Sequence, residues 1–362
     1  MGGRSKRPSG GRMLRIIAAV LVLCLWAFKF PILFDESIDR AKDSPATHSS
    51  SGNNWDFLTL PQTPLAANQN LIQIEFDWIN ARLLGPDSYG GTDKCSLCGC
   101  PGVPTPRDCP QWYTVEDIQD SVHFMDDHSD VLIPHSRALL NKRRLEAEGD
   151  CQVKEVTQAR GGWCLTPNPK GEKMTTANGS FLVPFHHVPP AKRLVDEIDK
   201  LIRDEDVRSI VDFGAGVGQY KLALTERHPD LQYYAYDGAG NAVNYTNDYL
   251  EYFDLTIPLG LPKADWVLSL EVGEHVPSKY EGMVLRNLHR HNCKGIILSW
   301  GVLGQGGYGH VNNHSNDYII KVIEQLGYVL DQKLTARFQQ AKDNYWWFKK
   351  STMAFRRTTE VC

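Results

Sequence analysis

From residue 208 the chain alternates short β-branched runs with helical ones: SIVDF, VGQYKLALTER, LQYYAYD, GNAVNYTND, YLEYFDL, ADWVLSL, a helix near Tyr280 to His291, and KGIILSW. Strands separated by helices lie parallel, because each helix must cross over a sheet face, and such crossovers are right-handed. A helix at Asn316 to Leu326 follows. YVLDQKLTARF and FKKSTMAFRR, separated by a turn around Asp343-Asn344, then read as an antiparallel pair closing the sheet edge. The pattern predicts an α/β fold, a doubly wound, mostly parallel seven-stranded sheet over residues 189–362.

The sequence ahead of it reads differently. Ile16 to Phe28 is an uninterrupted apolar run, extended to Phe34 and preceded by Arg4, Lys6, Arg7, Arg12 and Arg15 with no acid. A membrane span needs about 20 residues, a length that Met13 to Phe34 reaches when Arg15 and Lys29 snorkel to the headgroups. With the positive flank kept cytoplasmic, residues 1–34 read as a tail and signal anchor. That makes the chain a single-pass type II membrane protein of the Golgi or ER, held by one N-terminal helix, with its catalytic domain in the lumen. A cleaved signal peptide and a secreted product are the alternative, but no small-x-small cleavage site follows Phe28. Residues 35–68, rich in breakers, read as a stalk. Residues 69–188 read as a cysteine-rich accessory region that opens with an amphipathic helix, LIQIEFDWINARLL. Cys95, Cys98, Cys100, Cys109, Cys151 and Cys164 form an even set consistent with up to three disulfides; Cys95-x-x-Cys98 leaves a zinc knuckle as the competing reading. Three N-x-S/T triplets, at Asn178, Asn244 and Asn313, are glycosylation acceptors in a lumenal protein.

The sharpest local signal is Val211-Asp-Phe-Gly-Ala-Gly-Val-Gly-Gln219, placed between a strand and a helix. Gly214, Gly216 and Gly218 allow a tight turn and close backbone approach to a ligand. The G-x-G-x-G spacing departs from the dinucleotide fingerprint G-x-G-x-x-G, which disfavours a nicotinamide oxidoreductase. Asp237 ends the next strand, where a carboxylate can accept both ribose hydroxyl protons of a nucleoside. The third strand ends at Asp254-Leu255-Thr, and the fourth runs into Glu271-Val-Gly-Glu-His275-Val-Pro. These four motifs, in this order, resemble those of class I S-adenosylmethionine-dependent methyltransferases over about a quarter of the chain. The resemblance implies S-adenosyl-L-methionine as cofactor. Its contacts would come from Asp212, Gly214, Gly216, Gly218, Asp237, Asp254 (on the adenine amine), Leu255 and Glu271.

Methyl transfer from a sulfonium asks the protein chiefly for orientation, but a hydroxyl acceptor gains from a base or a metal ion. Glu271, Glu274 and His275 stand at i, i+3 and i+4, which would aim all three the same way from one helical turn. E-x-x-E-H resembles the metal-binding motif of small-RNA 2'-O-methyltransferases and ubiquinone-pathway O-methyltransferases, where a second histidine can complete the site. Here that histidine is His310, in a loop with glycines at 301, 304, 306, 307 and 309 that is expected to lie over the cofactor and to move. Glu271, Glu274, His275 and His310 are thus the candidate ligands of a divalent metal ion, with Glu274, His275 and His310 the candidate catalytic groups. Ordinary structural roles, including a helix cap for Glu271, remain the competing reading, and His186-His187, just before Pro189, read as structural in preference to a place over the pocket.

The function that follows is a lumenal methyltransferase that O-methylates a small-molecule or glycan acceptor. A non-catalytic lumenal binding module on the same fold and a metal-free N-methyltransferase stand as alternatives. With 39 Lys plus Arg against 43 Asp plus Glu, the chain has no overall basic balance, and nucleic acid is not an expected partner.

Overall fold

The computed structural model describes residues 65–84, 113–153, 160–341, 344–359 and 361–362, all within one compact unit spanning Pro61–Cys362. Among the described residues, nine strands form two sheets. β1 (Lys173–Thr176) and β2 (Gly179–Leu182) make a small antiparallel hairpin that the sequence reading does not contain. The main sheet holds β3 (Ser209–Phe213), β4 (Gln232–Asp237), β5 (Glu251–Tyr252), β6 (Ala264–Leu270), β7 (Asn292–Ser299), β8 (Tyr328–Leu330) and β9 (Met353–Arg357) in the order β5-β4-β3-β6-β7-β9-β8. Every pairing among β3 to β7 is parallel, and β9 alone runs antiparallel, between β7 and β8. This is the doubly wound, mostly parallel seven-stranded sheet that the alternation of strands and helices leads one to expect.

Its strands are apolar on both sides because helices cover both faces. Trp266, Leu268, Ile297 and Ala354 point into one core, against Leu194, Val195 and Ile198 of α4 (Lys192–Asp204) and Leu334 and Phe338 of α9 (Gln332–Gln339). The alternate residues Val211, Val267, Ile296, Leu298 and Phe355 point into the other. That core is closed by α7 (Glu281–Arg290), α8 (Asn316–Gln325) and Tyr113 and Ile118 at the start of α2 (Val115–Asp127). The remaining helices are α1 (Leu65–Ala81), α3 (Ser129–Val153), α5 (Gln219–Thr225), α6 (Ala242–Tyr245) and α10 (Phe348–Ser351).

One element departs from the sequence reading. LTARF is helix α9, not strand: Asp331 Oδ1 accepts from Leu334 N at 2.9 Å as an N-cap, and Leu334 and Phe338, four apart, bury one face. The antiparallel pair expected from the sequence forms between β8 and the run MAFRR of β9.

Among the described residues no helix is long and apolar enough to cross a membrane. This overturns the placement as a type II Golgi or ER membrane protein. The longest helix, α3, carries acids and bases throughout (SDVLIPHSRALLNKRRLEAEGDCQV); the run Met13 to Phe34 lies outside the described residues. Cys95, Cys98, Cys100 and Cys109 also lie outside them. Of the other cysteines, Cys151 pairs with Cys164 and, unanticipated, Cys293 pairs with Cys362. Asn313 cannot serve as a glycosylation acceptor in the folded chain: it is fully buried, and its Nδ2 donates to the carbonyls of Val302 (2.8 Å) and Gln305 (2.9 Å).

The segments that surround the sheet beyond the ends of β6 and β7 are joined at one buried carboxylate. Glu281, the first residue of α7, accepts from Tyr113 Oη (2.8 Å) and Tyr318 Oη (2.5 Å) on Oε1, and from Asn312 Nδ2 (3.0 Å) on Oε2. His314 Nε2 lies 2.5 Å from Oε2. Burial alone would raise the Glu281 pKa, but the charge and hydrogen bond of His314 and the two tyrosine hydroxyls carry it down to about 2. A folded value below the ordinary 4.5 means a stabilising contribution that is complete above pH 4.5 and lost as pH falls through about 2. Glu281→Ala should therefore lower stability by roughly 3–5 kcal/mol in urea unfolding at pH 7. Glu281→Gln should remove the part of the acid transition that lies between those two pH values.

Candidate active site

Beyond Phe213 the chain turns through Gly214, Gly216 and Gly218, all left-handed at φ 81°, 62° and 77°, before α5 begins. A Cβ at 214 would stand 2.3 Å from Val272 Cγ2, one at 216 would stand 3.0 Å from the His187 ring, and one at 218 would stand 2.8 Å from the Tyr249 ring. Both backbone conformation and packing thus exclude side chains here. Asp237, at the end of β4, fastens the turn: Oδ2 accepts from Gly216 N and Oδ1 from Ala239 N, each at 2.8 Å. Burial raises Asp237 to about 6 against the pull of those two donors. Burial also raises neighbouring Asp212 to about 7; the Tyr233 hydroxyl, donating at 2.7 Å, opposes this, and the charge of Asp237 adds to it.

Further along the sheet edge, Asp254 Oδ1 accepts from Thr256 N (2.9 Å) and Thr256 Oγ1 (2.6 Å), while Oδ2 lies 3.3 Å from Arg160 Nε. A cavity of about 510 Å³ connects these parts; Asp212, Gly214, Gly216, Asp237, Asp254, Leu255, Glu271, His275 and His310 all line it. Of the cofactor residues read from the sequence, only Gly218 is not in the lining; it closes the turn from behind, against Tyr249 and Leu250.

At the other end of the cavity, the chain leaves β6 with Glu271 at φ 56° and enters a one-turn 3-10 helix, Gly273–His275. That left-handed residue breaks the helical spacing expected for the motif and turns Glu271 aside. Its carboxylate accepts from Gln305 Nε2 (2.7 Å) and Ser351 Oγ (3.0 Å). The other three come together: Glu274, His275 and His310 each offer a ligating atom, all within 4.8 Å of one another. The carbonyl of Glu274 accepts from Val311 N (2.8 Å) and Asn312 N (2.9 Å), and Trp300 Nε1 donates to Asn312 O (2.6 Å), which holds the glycine-rich loop onto the motif. A Cβ at Gly307 would overlap the His310 ring, so that glycine makes room for the inward-facing histidine.

Glu274 is fully buried, and neither of its carboxylate oxygens, nor Nδ1 of His275 or His310, has a hydrogen-bond partner among the described residues. Burial and then the nearby Glu271 carboxylate push Glu274 well above the usual range. Burial, then His310, pushes His275 down to about 3, and burial lowers His310 as well. Two neutral imidazoles and a carboxylate left unsatisfied around one point fit a divalent ion that takes nitrogen and oxygen ligands.

The sequence reading missed the roof. Gly161 passes so close that its Cβ would meet His275 O at 2.7 Å, and that of Gly162 would meet Gly238 O at 2.4 Å. The pair of glycines before Trp163 was the available signal. His186 and His187, read as structural, line the cavity, as do Trp163, Trp346 and Trp347.

No family model matches the chain, and no curated protein matches it. Among solved structures, it is similar to the magnesium protoporphyrin IX methyltransferase of Synechocystis PCC 6803 with bound S-adenosylhomocysteine, at 18% identity over 46% of this chain and 83% of that one, TM-score 0.36. It is similar to an O-methyltransferase family protein of Burkholderia thailandensis at 13% identity, covering 48% and 57%, TM-score 0.37. An amino pentose methyltransferase from Micromonospora echinaspora, bound to S-adenosylmethionine, aligns at 12% identity, covering 46% and 91%, TM-score 0.36.

Asp212 supplies a test of the site's electrostatics. Its folded value of about 7 exceeds the ordinary 3.8, so the native state holds this proton more tightly than the unfolded chain does. Stability should therefore fall as pH rises from about 4 to about 7 and stay lower above that. Asp212→Asn keeps an acceptor for Tyr233 and removes the buried charge. The variant should unfold with a flatter pH profile and be more stable at pH 8 by roughly 2–4 kcal/mol, measured by calorimetry across the pH range.

Proposed function

We propose that the chain is an S-adenosylmethionine-dependent O-methyltransferase acting on a hydroxyl-bearing small-molecule acceptor, such as a glycan hydroxyl. The observation that carries this reading is a single cavity that joins a glycine turn fastened by Asp237 to His275 and His310, behind which the buried Glu274 completes the cluster. One end has what a nucleoside needs. Asp237 keeps lone pairs for ribose hydroxyls beyond its two backbone donors, Asp254 lies where the adenine amine is expected, and the open backbone at Gly214 to Gly216 leaves room for the methionyl chain. Glu271, bound to Gln305 and Ser351, stands between the two ends and lines the same space.

S-Adenosylmethionine supplies an activated methyl group on a sulfonium, and a divalent ion lowers the pKa of a bound hydroxyl. The protein's share is placement. Glu274, His275 and His310 would hold the ion, and the loop pinned to the Glu274 carbonyl keeps His310 turned inward. The lowered pKa of both imidazoles leaves each with one unprotonated ring nitrogen at physiological pH, as ligation requires. An amine acceptor would need neither the buried carboxylate nor the facing imidazoles, which is why the O-methylation reading is preferred to the metal-free one.

Calorimetry should show S-adenosylmethionine binding. Gly216→Val, strained at φ 62° and crowding His187, should abolish that binding while the protein stays folded. Asp237→Ala should weaken it by roughly 1–3 kcal/mol. Glu274→Ala and His275→Ala should keep cofactor affinity, lose manganese binding followed by electron paramagnetic resonance, and reduce turnover at least roughly a hundredfold. Turnover that survives both chelator and His310→Ala would move the reading to an amine acceptor. Failure of the wild-type protein to bind the cofactor would favour the non-catalytic module.

A further inference from the structure

A row of aromatic rings leads from the Glu274, His275 and His310 cluster to the surface. His275 meets His310 edge-on at 4.9 Å between centroids, and Trp163 meets His275 edge-on at 4.8 Å. Trp163 then meets Tyr308 at 5.9 Å, and Tyr308 stacks on His186 at 5.7 Å with the planes 5° apart. Burial decreases along the row: His310 is buried, Trp163 is partly exposed, and Tyr308 is 51% exposed. The rings come from four separate segments: the Gly161-Gly162 strap, the chain after the hairpin, the Gly273–His275 turn and the glycine-rich loop. Chain proximity does not account for their alignment. Trp163 and His186 line the cavity, and Tyr308, outside the lining itself, packs against both; aromatic rings left exposed beside a cavity suit contact with an apolar ligand face.

Charge narrows the ligand further. The cavity is lined by the carboxyl residues Asp150, Asp212, Asp237, Asp254 and Glu271, and among its described lining residues the sole Lys or Arg is Arg160, whose Nε lies 3.3 Å from Asp254. Asp212, Asp237 and Asp254 belong to the cofactor end, but beside the His275 and His310 cluster the lining offers Glu271 and no Lys or Arg, and Arg160 is committed to Asp254, so a phosphate or carboxylate on the acceptor would find no uncommitted guanidinium or ammonium among the described lining residues.

We infer that the acceptor is neutral, carries its reacting hydroxyl on a ring with an apolar face, and stacks on Trp163 and Tyr308; a sugar ring and a phenolic ring share that chemistry. The inference rests on the methyl-transfer reading above. Trp163 is a positioning residue: it touches His275 and holds the ring so that the hydroxyl faces the cluster.

The test uses the full chain with labelled S-adenosylmethionine and three acceptor sets: methyl glycosides of neutral hexoses, the 6-phosphates of the same glycosides, and catechols. Transfer to a neutral set should exceed transfer to the phosphates at least tenfold in kcat/KM, and whichever neutral set is methylated distinguishes sugar from phenol. Trp163→Ala should raise KM for that acceptor at least tenfold with cofactor affinity within twofold of wild type, and Trp163→Phe should restore most of it. Where Trp163→Ala loses cofactor binding through misfolding, Tyr308→Ala, at the outer end of the row, should show the same KM effect. A preference for phosphorylated acceptors, no transfer to any neutral ring despite cofactor binding, or an unchanged KM in folded variants overturns the inference. Absence of cofactor binding in the wild type instead removes the methyl-transfer reading itself.

Discussion

The carboxylate of Glu281 is the point on which the cavity end of the sheet is assembled. It is buried and ionised, and it takes donors from Tyr113 ahead of α2, Asn312 and His314 in the glycine-rich loop, and Tyr318 in α8. A buried anion is costly to leave unpaired, so these segments are constrained to one arrangement. The stretch directly after His310 is fixed twice, by this network through Asn312 and His314 and by the Glu274 carbonyl through Val311 N and Asn312 N. Cluster geometry is therefore inherited from a structural carboxylate rather than from the ligating residues themselves.

The cavity shows the opposite economy. Asp212 and Asp237 are held protonation-prone by burial, and Glu274, His275 and His310 keep polar atoms without partners. Stability is concentrated in the sheet faces and the Glu281 network, while the concave site retains unsatisfied groups. That contrast is expected where a ligand is to complete the hydrogen bonding.

Much of the fold was legible because strands covered on both faces read as continuous apolar runs and because turn glycines are chemically distinctive. Gly214, Gly216, Asp237, Asp254 and His310 all line the cavity as the motif order suggested. The misreadings have local causes. At 332–339 the β-branched and aromatic content of LTARF suggested a strand, yet the Asp331 cap and the Leu334–Phe338 spacing decide for a helix. Glu271 was assigned to one helical turn with Glu274 and His275, but a left-handed residue at the strand end redirects it toward Gln305 and Ser351. Asn313 fits a glycosylation triplet in one dimension and is fully enclosed in three.

By itself the sequence determined the order of strands and helices, the glycine turn and the carboxylate that fastens it, because these depend on residue type and spacing along a few neighbouring positions. Tertiary structure alone decided what faces the site from a distance. Gly161 and Gly162 lie more than 75 positions from Gly238 and more than 110 from His275 in the chain, and only their missing side chains let that strap descend against both. The alignment of Trp163, Tyr308 and His186, the choice of Glu281 as the common acceptor and the divergence of Glu271 from its motif partners arise from packing among segments remote in sequence. No local pattern encodes such contacts, since each segment's contribution has meaning only once the sheet has set the distances between them.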